Sequence, residues 1–342
     1  MDNLRINQNS ITNEYVEISS KSSKLESFKL PANILASPPE YSGENVKIKG
    51  YVTKNKNLIV IIPDTKLENV NISPYTHQLL DFFVLALTQR LDKNMSFSKI
   101  VEACKFEIPL DSFLSVTKTK DSRAIRNHLK EIFIQMMIPI IVFNAVEVER
   151  DQEGNVKFET IKENGEEVTK RIVSKKKKWG VAHIIESIKI DDDINKIIIK
   201  FGEEYVKHLA DWGYLMKYPD EMFQISTQYN PYSFNLGRKM LVHRHTNEKS
   251  KKTRNTLSVK SLLSQIPDFP TVESLPRQDM FRERIVKPFE RDMNKLIELG
   301  VIARWNYNLD KRVYAGKVNI NNFYDLYINF YFPEDELGLT QK

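Results

Sequence analysis

The sequence predicts a mixed α+β chain made of two tandem modules, each with three helices followed by a β-hairpin. Three observations carry that expectation. Long segments repeat apolar residues at helical spacing, as in "FRERIVKPFERDMNKLIELGVI", where Phe281, Ile285, Phe289, Met293, Leu296 and Ile297 share one side. β-rich runs around charged turns follow each helical set. The same order occurs twice along the chain, a likeness of pattern rather than of residue identity. The boundaries that follow are an N-terminal arm and hairpin extension at 1–70, a first module at 71–220 and a second at 221–342.

In chain order, residues 1 to about 30 are polar and aperiodic and read as a loose arm. "VKIKGYVTKNKNLIVIIP" reads as a hairpin ended by Pro63. "SPYTHQLLDFFVLALTQRL" starts a long helix, with Ser73 as N-cap and Pro74 in the first helical position. A short helix "SFSKIVEACKF", a loop through Pro109 and the helix "DSRAIRNHLKEIFIQMM", stopped by Pro139, complete the first set. "IPIIVFNAVEVERDQEGNVKFETI" then reads as a hairpin turning at Gly154, and "WGVAHIIESIKIDDDINKIIIKF" as two strands with "DDD" in a solvated turn. A helix ending near Gly213 and a connector around Pro219 lead to the second set: "YSFNLGRKMLVHRHTN", "SVKSLLSQI" capped by Ser258, and the 281–302 helix. The hairpin "GVIARWNYNLDKRVYAGKVNI" and the strand "YDLYINFYF" close it. Pro288 falls inside the 281–302 helix, where it removes one backbone hydrogen bond and bends the chain.

A length of 342 residues with 41% hydrophobic and 10% aromatic content supports a globular chain of two or three domains. The 51 basic residues against 45 acidic ones leave a net charge of +6, which permits binding to nucleic acid or an anionic membrane without establishing either. Cys104 is the single cysteine, so no intrachain disulfide and no multi-cysteine zinc site can form; its apolar helical setting reads as a buried thiol. No apolar run reaches the roughly 20 residues of a membrane span, and the N-terminus lacks a secretory pattern. A cytoplasmic protein that does not engage membranes is expected.

Three helices with an appended hairpin is the winged-helix form of the helix-turn-helix, whose third helix can enter the major groove. In the second module Arg284, Lys287, Arg291 and Lys295 line the outer flank of the third helix, Arg277 precedes it, and the following turn offers Asn306, Asn308, Lys311 and Arg312 as a wing. Arg can grip guanine, and both Arg and Lys can neutralise phosphate, so these residues are candidate DNA contacts; Glu283, Glu290 and Asp292 among them keep an ordinary solvated face as the alternative. In the first module Ile125, Leu129, Ile132, Phe133 and Met136 face inward and leave Arg123, Arg126, Asn127 and Lys130 outward, for DNA or for another copy of the chain. Lys175, Lys176, Lys177 and Lys178 form a run in a wing or in a loop beside it, again either a backbone contact or a solvated loop.

Catalytic readings fare poorly. His243 and His245 with Tyr214 and Lys217 hold the ingredients of a rolling-circle nickase, but the histidines sit two apart on a helix and the tyrosine precedes them. Neither a phosphate loop nor a dinucleotide fingerprint is present. The chain is expected to be no enzyme and to need no cofactor or metal.

The order of elements resembles the dual winged-helix replication initiators of theta-replicating bacterial plasmids, which bind repeated origin sequences. The resemblance rests on "IIIKFGEEYVKHLADWGYLMKYP", "FQISTQYNPYSFNLGRKML" and "MFRERIVKPFERDMNKLIELGVIARW", and covers about residues 70 to 332. This sequence departs from the family in its first 70 residues, its insertion near 150–180 and its mid-helix proline. The resemblance implies a non-enzymatic initiator in the bacterial cytoplasm whose two modules bind double-stranded origin repeats and help open an adjacent AT-rich stretch. It also implies recruitment of host helicase-loading proteins and a homodimer through the first module. A winged-helix transcriptional regulator with no replication role is the main alternative, and a nicking endonuclease the remoter one.

Overall fold

The computed structural model describes residues 10–12, 26–31, 45–52, 58–61, 74–92, 94–137, 140–163, 166–212, 215–250, 253–263, 266, 269–308, 318 and 322–337, and shows a mixed α+β chain. Two units form. The described residues within Phe83–Leu215 and Lys24–Ile72 make the first; those within Ser73–Phe82, Met216–Lys342 and Gln8–Ser23 make the second.

In the first unit the helices Phe97–Cys104, Leu110–Val116, Arg123–Met136 and Glu203–Trp212 accompany an antiparallel sheet of three strands, ordered Ile185–Asp191, Lys196–Phe201, Lys105–Pro109. Period-two patterning builds that sheet: Phe106 and Ile108 on one strand and Ile197, Ile199 and Phe201 on the next are buried, while their neighbours look outward. Phe83 and Phe133 meet at 5.9 Å and Phe83 and Phe113 at 6.0 Å, so the rings of three helical segments fill the space beside it. Cys104 is buried and its thiol donates to the Ile100 carbonyl at 3.1 Å, in keeping with an inert core role.

Several expected elements are placed differently. The loop expected through Pro109 is a strand followed by the helix Leu110–Val116. Of the hairpin expected over 138–161 only the end at the turn forms among the described residues, with Lys157 N–H donating to the Glu149 carbonyl at 2.9 Å. Ile140–Val148 pairs instead with Leu58–Ile61 and Val173–His183, in a five-stranded sheet that also holds Glu26–Pro31 and Asn45–Val52, and Phe158–Glu163 pairs with Glu166–Arg171. Gly154, with φ +83, still turns the chain, but into a bridge between Arg150 and Val156. The hairpin that joins the core sheet is the later one, and its turn, 192–195, is the acidic "DDIN". The arm contains the short strands Ser10–Thr12 and Glu26–Pro31, and Ser73 lies outside the described residues.

The second unit runs helix Ser233–Thr246, strand Thr256–Ser258, helix Val259–Leu263, π-helical turn Arg282–Val286 continuing as helix Lys287–Glu298, strand Arg304–Asn308 and strand Tyr327–Tyr331. Its sheet is antiparallel with Tyr327–Tyr331 in the centre. Phe289 anchors the core, with Trp305 at 5.8 Å, Tyr307 at 6.4 Å and Phe323 at 5.6 Å. Gly237 lets the helix Ser233–Thr246 close on Lys287–Glu298: a Cβ there would stand 3.2 Å from a Leu296 methyl and 2.8 Å from the Met222 sulfur. Gly300, at φ +78, ends the longer helix, and Val301 N–H returns to the Leu296 carbonyl at 2.9 Å.

The helix Pro74–Thr88 contributes its first residues to this second unit, where they bury an uncommon number of polar groups. Gln78 donates to the carbonyls of Met222 and Ile225 at 2.7 and 3.1 Å. Asp81 accepts two bonds from the Arg238 guanidinium at 2.6 and 2.7 Å and a third from the Tyr218 hydroxyl. Burial, with help from the Arg238 charge, lowers the His77 pKa to about 3. A histidine neutral when folded and protonated when unfolded contributes stability that is complete above the unfolded pKa near 6.5 and is lost as pH falls toward 3. Urea titrations at pH 7 and pH 4 should therefore differ by about 3 kcal/mol in this unit, and His77→Gln should remove most of that difference. An equal acid loss in the variant would assign it to carboxylates instead.

Candidate nucleic-acid interface

The helix that ends in Lys287–Glu298 presents two chemically opposite sides. Ile285, Val286, Phe289, Met293 and Leu296 are buried, whereas Arg282, Arg284, Lys287, Arg291 and Asn294 are exposed. At about 100° per residue, Lys287, Arg291, Asn294 and Glu298 lie on one line opposite Phe289. Pro288 sits at the first turn of the α-helix, directly after the π-helical turn. Its missing N–H is tolerated at a helix start, and the wider turn before it accommodates the ring. The bend expected from the proline thus becomes a change of helical phase. That change rotates Arg282 outward, although an uninterrupted helix would turn it toward the core. Ile297, expected in the core stripe, is 37% exposed at its margin.

Asp292 interrupts the charged flank only in sequence. Its carboxylate is buried and accepts the N–H groups of Tyr232 and Ser233 at 2.7 and 3.1 Å, capping the helix Ser233–Thr246 from a distance. The other carboxylate oxygen takes Arg291 Nε at 2.7 Å, which fixes the root of a half-exposed guanidinium. Lys287 pairs with Glu283 at 2.5 Å, Lys295 with Glu298 at 2.8 Å and Arg277 with Asp279 at 3.4 Å, all exposed pairs that cost little to exchange. Arg284 forms no ion pair among the described residues. The strand Arg304–Asn308 is tied to the helix by Trp305 Nε1 donating to Asn294 at 3.0 Å and by the Tyr307 hydroxyl donating to Glu290 at 3.2 Å. Burial, then the Glu290 charge, holds the Tyr307 phenol protonated well above its usual range. Asn306 is exposed on that strand; Lys311 and Arg312, expected in the wing, lie outside the described residues.

The corresponding helix of the first unit, Arg123–Met136, buries Leu129, Ile132, Phe133 and Met136 and exposes Arg123, Asn127 and Lys130. Two of its cations have carboxylate partners. Arg126 donates to both oxygens of Asp121 at 3.0 and 2.7 Å, to Asp192 at 2.8 Å and to Asn195 at 3.0 Å. Lys130 reaches the second oxygen of Asp192 at 3.3 Å. These partners pull the Asp121 and Asp192 pKa values down and the Arg126 value up. Arg126 and Lys130, expected as outward contacts, clasp the helix to the turn 192–195 in this structure.

The lysine run is also relocated. Lys175 to Lys178 belong to the strand Val173–His183, with Lys177 opposite Val146 and Lys178 opposite Ala145, rather than to a wing or a loop. Lys175 is exposed. Among the described residues this strand is the outer one of its sheet. His243 and His245 are both on the helix Ser233–Thr246, and the His243 ring sits 2.8 Å from the Thr253 carbonyl; Tyr214 lies outside the described residues.

Comparison with known proteins adds little. No family model matches the chain, and no curated protein matches it. Two solved structures align along most of its length. One, of domains 2 and 3 of RctB as a selenomethionine derivative, has a TM-score of 0.39 at 10% identity and covers 93% of this chain and 97% of that one. Another, of RctB domains 2-3, residues 155–483, has a TM-score of 0.37 at 12% identity and covers 93% and 95%. Among the described residues no helix is long and apolar enough to cross a membrane.

Proposed function

We propose that the chain is a sequence-specific double-stranded DNA-binding replication initiator of a plasmid or mobile element, built on two winged-helix units. The observation that carries the DNA reading is the second unit's third helix: an inner side locked on Phe289 and Met293, and an outer line of Arg284, Lys287 and Arg291. Both units support the winged-helix assignment, because each runs strand, short helix, longer helix, then two strands that complete a three-stranded sheet with the first. In the first unit the strands Ile140–Val148, Phe158–Glu163, Glu166–Arg171 and Val173–His183 are inserted between the third helix and the second strand of that pattern, whereas the arm and the strands Glu26–Pro31, Asn45–Val52 and Leu58–Ile61 precede it in the chain.

In this reading the second unit supplies most of the base contacts. The first, with Arg126 and Lys130 held by carboxylates, supplies Arg123, Asn127 and backbone contacts. The role in replication, the homodimer, the helicase-loading partners, the bacterial cytoplasm and the lack of catalysis follow from the sequence resemblance to plasmid initiators. Selection of bound duplexes from a random pool by the full chain should enrich one motif, and permanganate should reveal unpaired thymines in AT-rich DNA beside tandem copies of it. No enriched motif would overturn the DNA reading; enrichment without strand opening would favour the transcriptional regulator.

A further inference from the structure

The three-stranded sheet of the second unit has an outer side whose composition its structural role does not require. Alternation along the strands sends Leu257, Ile328 and Phe330 into the core, with Trp305 and Tyr307 against Phe289. The other side carries Arg304, Asn306 and Asn308 on one strand, Tyr327, Asn329 and Tyr331 on the next, and Thr256 and Ser258 on the third. The register sets these in rungs: Arg304 opposite Tyr331, Asn306 opposite Asn329 and Thr256, Asn308 opposite Tyr327 and Ser258.

Three features of this side point to a ligand. Asparagine is depleted in strands, yet three stand together here; departures from local preference of this kind mark functional surfaces. Tyr327 is 53% exposed, and Tyr331 lies four residues along the same strand, about 13 Å away, with the Arg304 guanidinium over its ring at 4.1 Å. No carboxylate occurs among the eight residues of the rungs. Thr256 donates its hydroxyl to Asn329 Oδ1 at 3.0 Å, which orients that amide with its NH₂ group available.

We infer that this side of the sheet binds two or three bases of single-stranded nucleic acid. Unstacked bases have free faces and free pairing edges, whereas a duplex offers neither to a flat sheet. Bases would stack on Tyr327 and on the Tyr331–Arg304 pair, and the asparagine amides between them supply donors and acceptors for base edges. The guanidinium adds one cation for the backbone. The site is separate from the outer line of Lys287–Glu298 and does not depend on the duplex reading of that helix.

Fluorescence anisotropy of the full chain with labelled oligothymidylate and oligouridylate, in the presence of excess random duplex, tests the inference. Wild type should bind. Tyr327→Ala should bind about 5- to 100-fold more weakly, the range that loss of one stacking ring covers, and Tyr327→Phe, which keeps the ring, should bind nearly as well as wild type. Capture of a duplex motif by Tyr327→Ala should be unchanged. Similar affinity for both oligonucleotides, or preference for the deoxy strand, supports single-stranded DNA as the ligand; preference for the ribo strand assigns RNA to the same site. No binding by wild type, unchanged binding by Tyr327→Ala, or an equal loss in Tyr327→Phe would overturn the proposal, and none of these outcomes bears on duplex recognition.

Discussion

Arg238→Ala should destabilise the second unit by about 3–5 kcal/mol, because it leaves the Asp81 carboxylate buried without its cation. Both side chains are fully excluded from solvent, and the guanidinium engages Asp81 at 2.6 and 2.7 Å. Desolvation makes a buried pair a poor net source of stability, but removing one partner exposes the full penalty of the other. The pair also docks the start of the helix Pro74–Thr88 onto the helix Ser233–Thr246. Urea dependence of amide exchange in Ser233–Thr246 would report the loss. Replacing both partners, Asp81→Leu with Arg238→Met, should recover much of it. A cost below about 1 kcal/mol for Arg238→Ala would mean that water reaches Asp81.

Much of the second unit is legible in the sequence because local signals and burial agree there. The helix expected over 281–302, its inner stripe apart from Ile297, the flanking helices and the strands Arg304–Asn308 and Tyr327–Tyr331 occur close to where periodicity places them, while most of the second half of the expected hairpin lies outside the described residues. The π-helical turn is the exception: Pro288 announces a disturbance, but not that Arg282 would turn outward. The first unit is less legible. "KFEIP" holds a strand of alternating exposure, but its first two residues read as the end of the preceding helix and the rest, with Pro109, as a loop, and the helix Leu110–Val116 has only seven residues.

The β-rich run 140–183 offers no local mark of which strands pair, since register between distant segments is set by the rest of the fold. The "DDD" turn is correctly a charged turn, yet its contact with Arg126 crosses 66 residues of sequence and no helical wheel contains it. Asp292 misleads in the same way: in sequence it dilutes a basic flank, and in space it caps another helix. The cations of the second unit's helix can be read from the sequence as a face. Which of them have partners cannot.

That difference shapes the second large effect. If Arg284 reads a base, Arg284→Ala should weaken binding to the selected duplex by about 1–3 kcal/mol and relax discrimination at one position. Arg291→Ala should do less, because Asp292 already holds part of its charge. Glu283 and Glu298 are exposed partners that DNA can displace, so Lys287 and Lys295 are expected as phosphate contacts whose loss lowers affinity for all sequences alike.

The salt dependence of duplex binding tests the central claim most directly. With Arg126 and Lys130 clasped, the second unit's helix and its surroundings would neutralise about four to six phosphates, so log K should fall against log salt with a slope of about −4 to −5. Arg284→Ala combined with Lys287→Ala should flatten that slope by about one to two. A slope near zero, or one unchanged in the double variant, would contradict docking of this helix on a duplex.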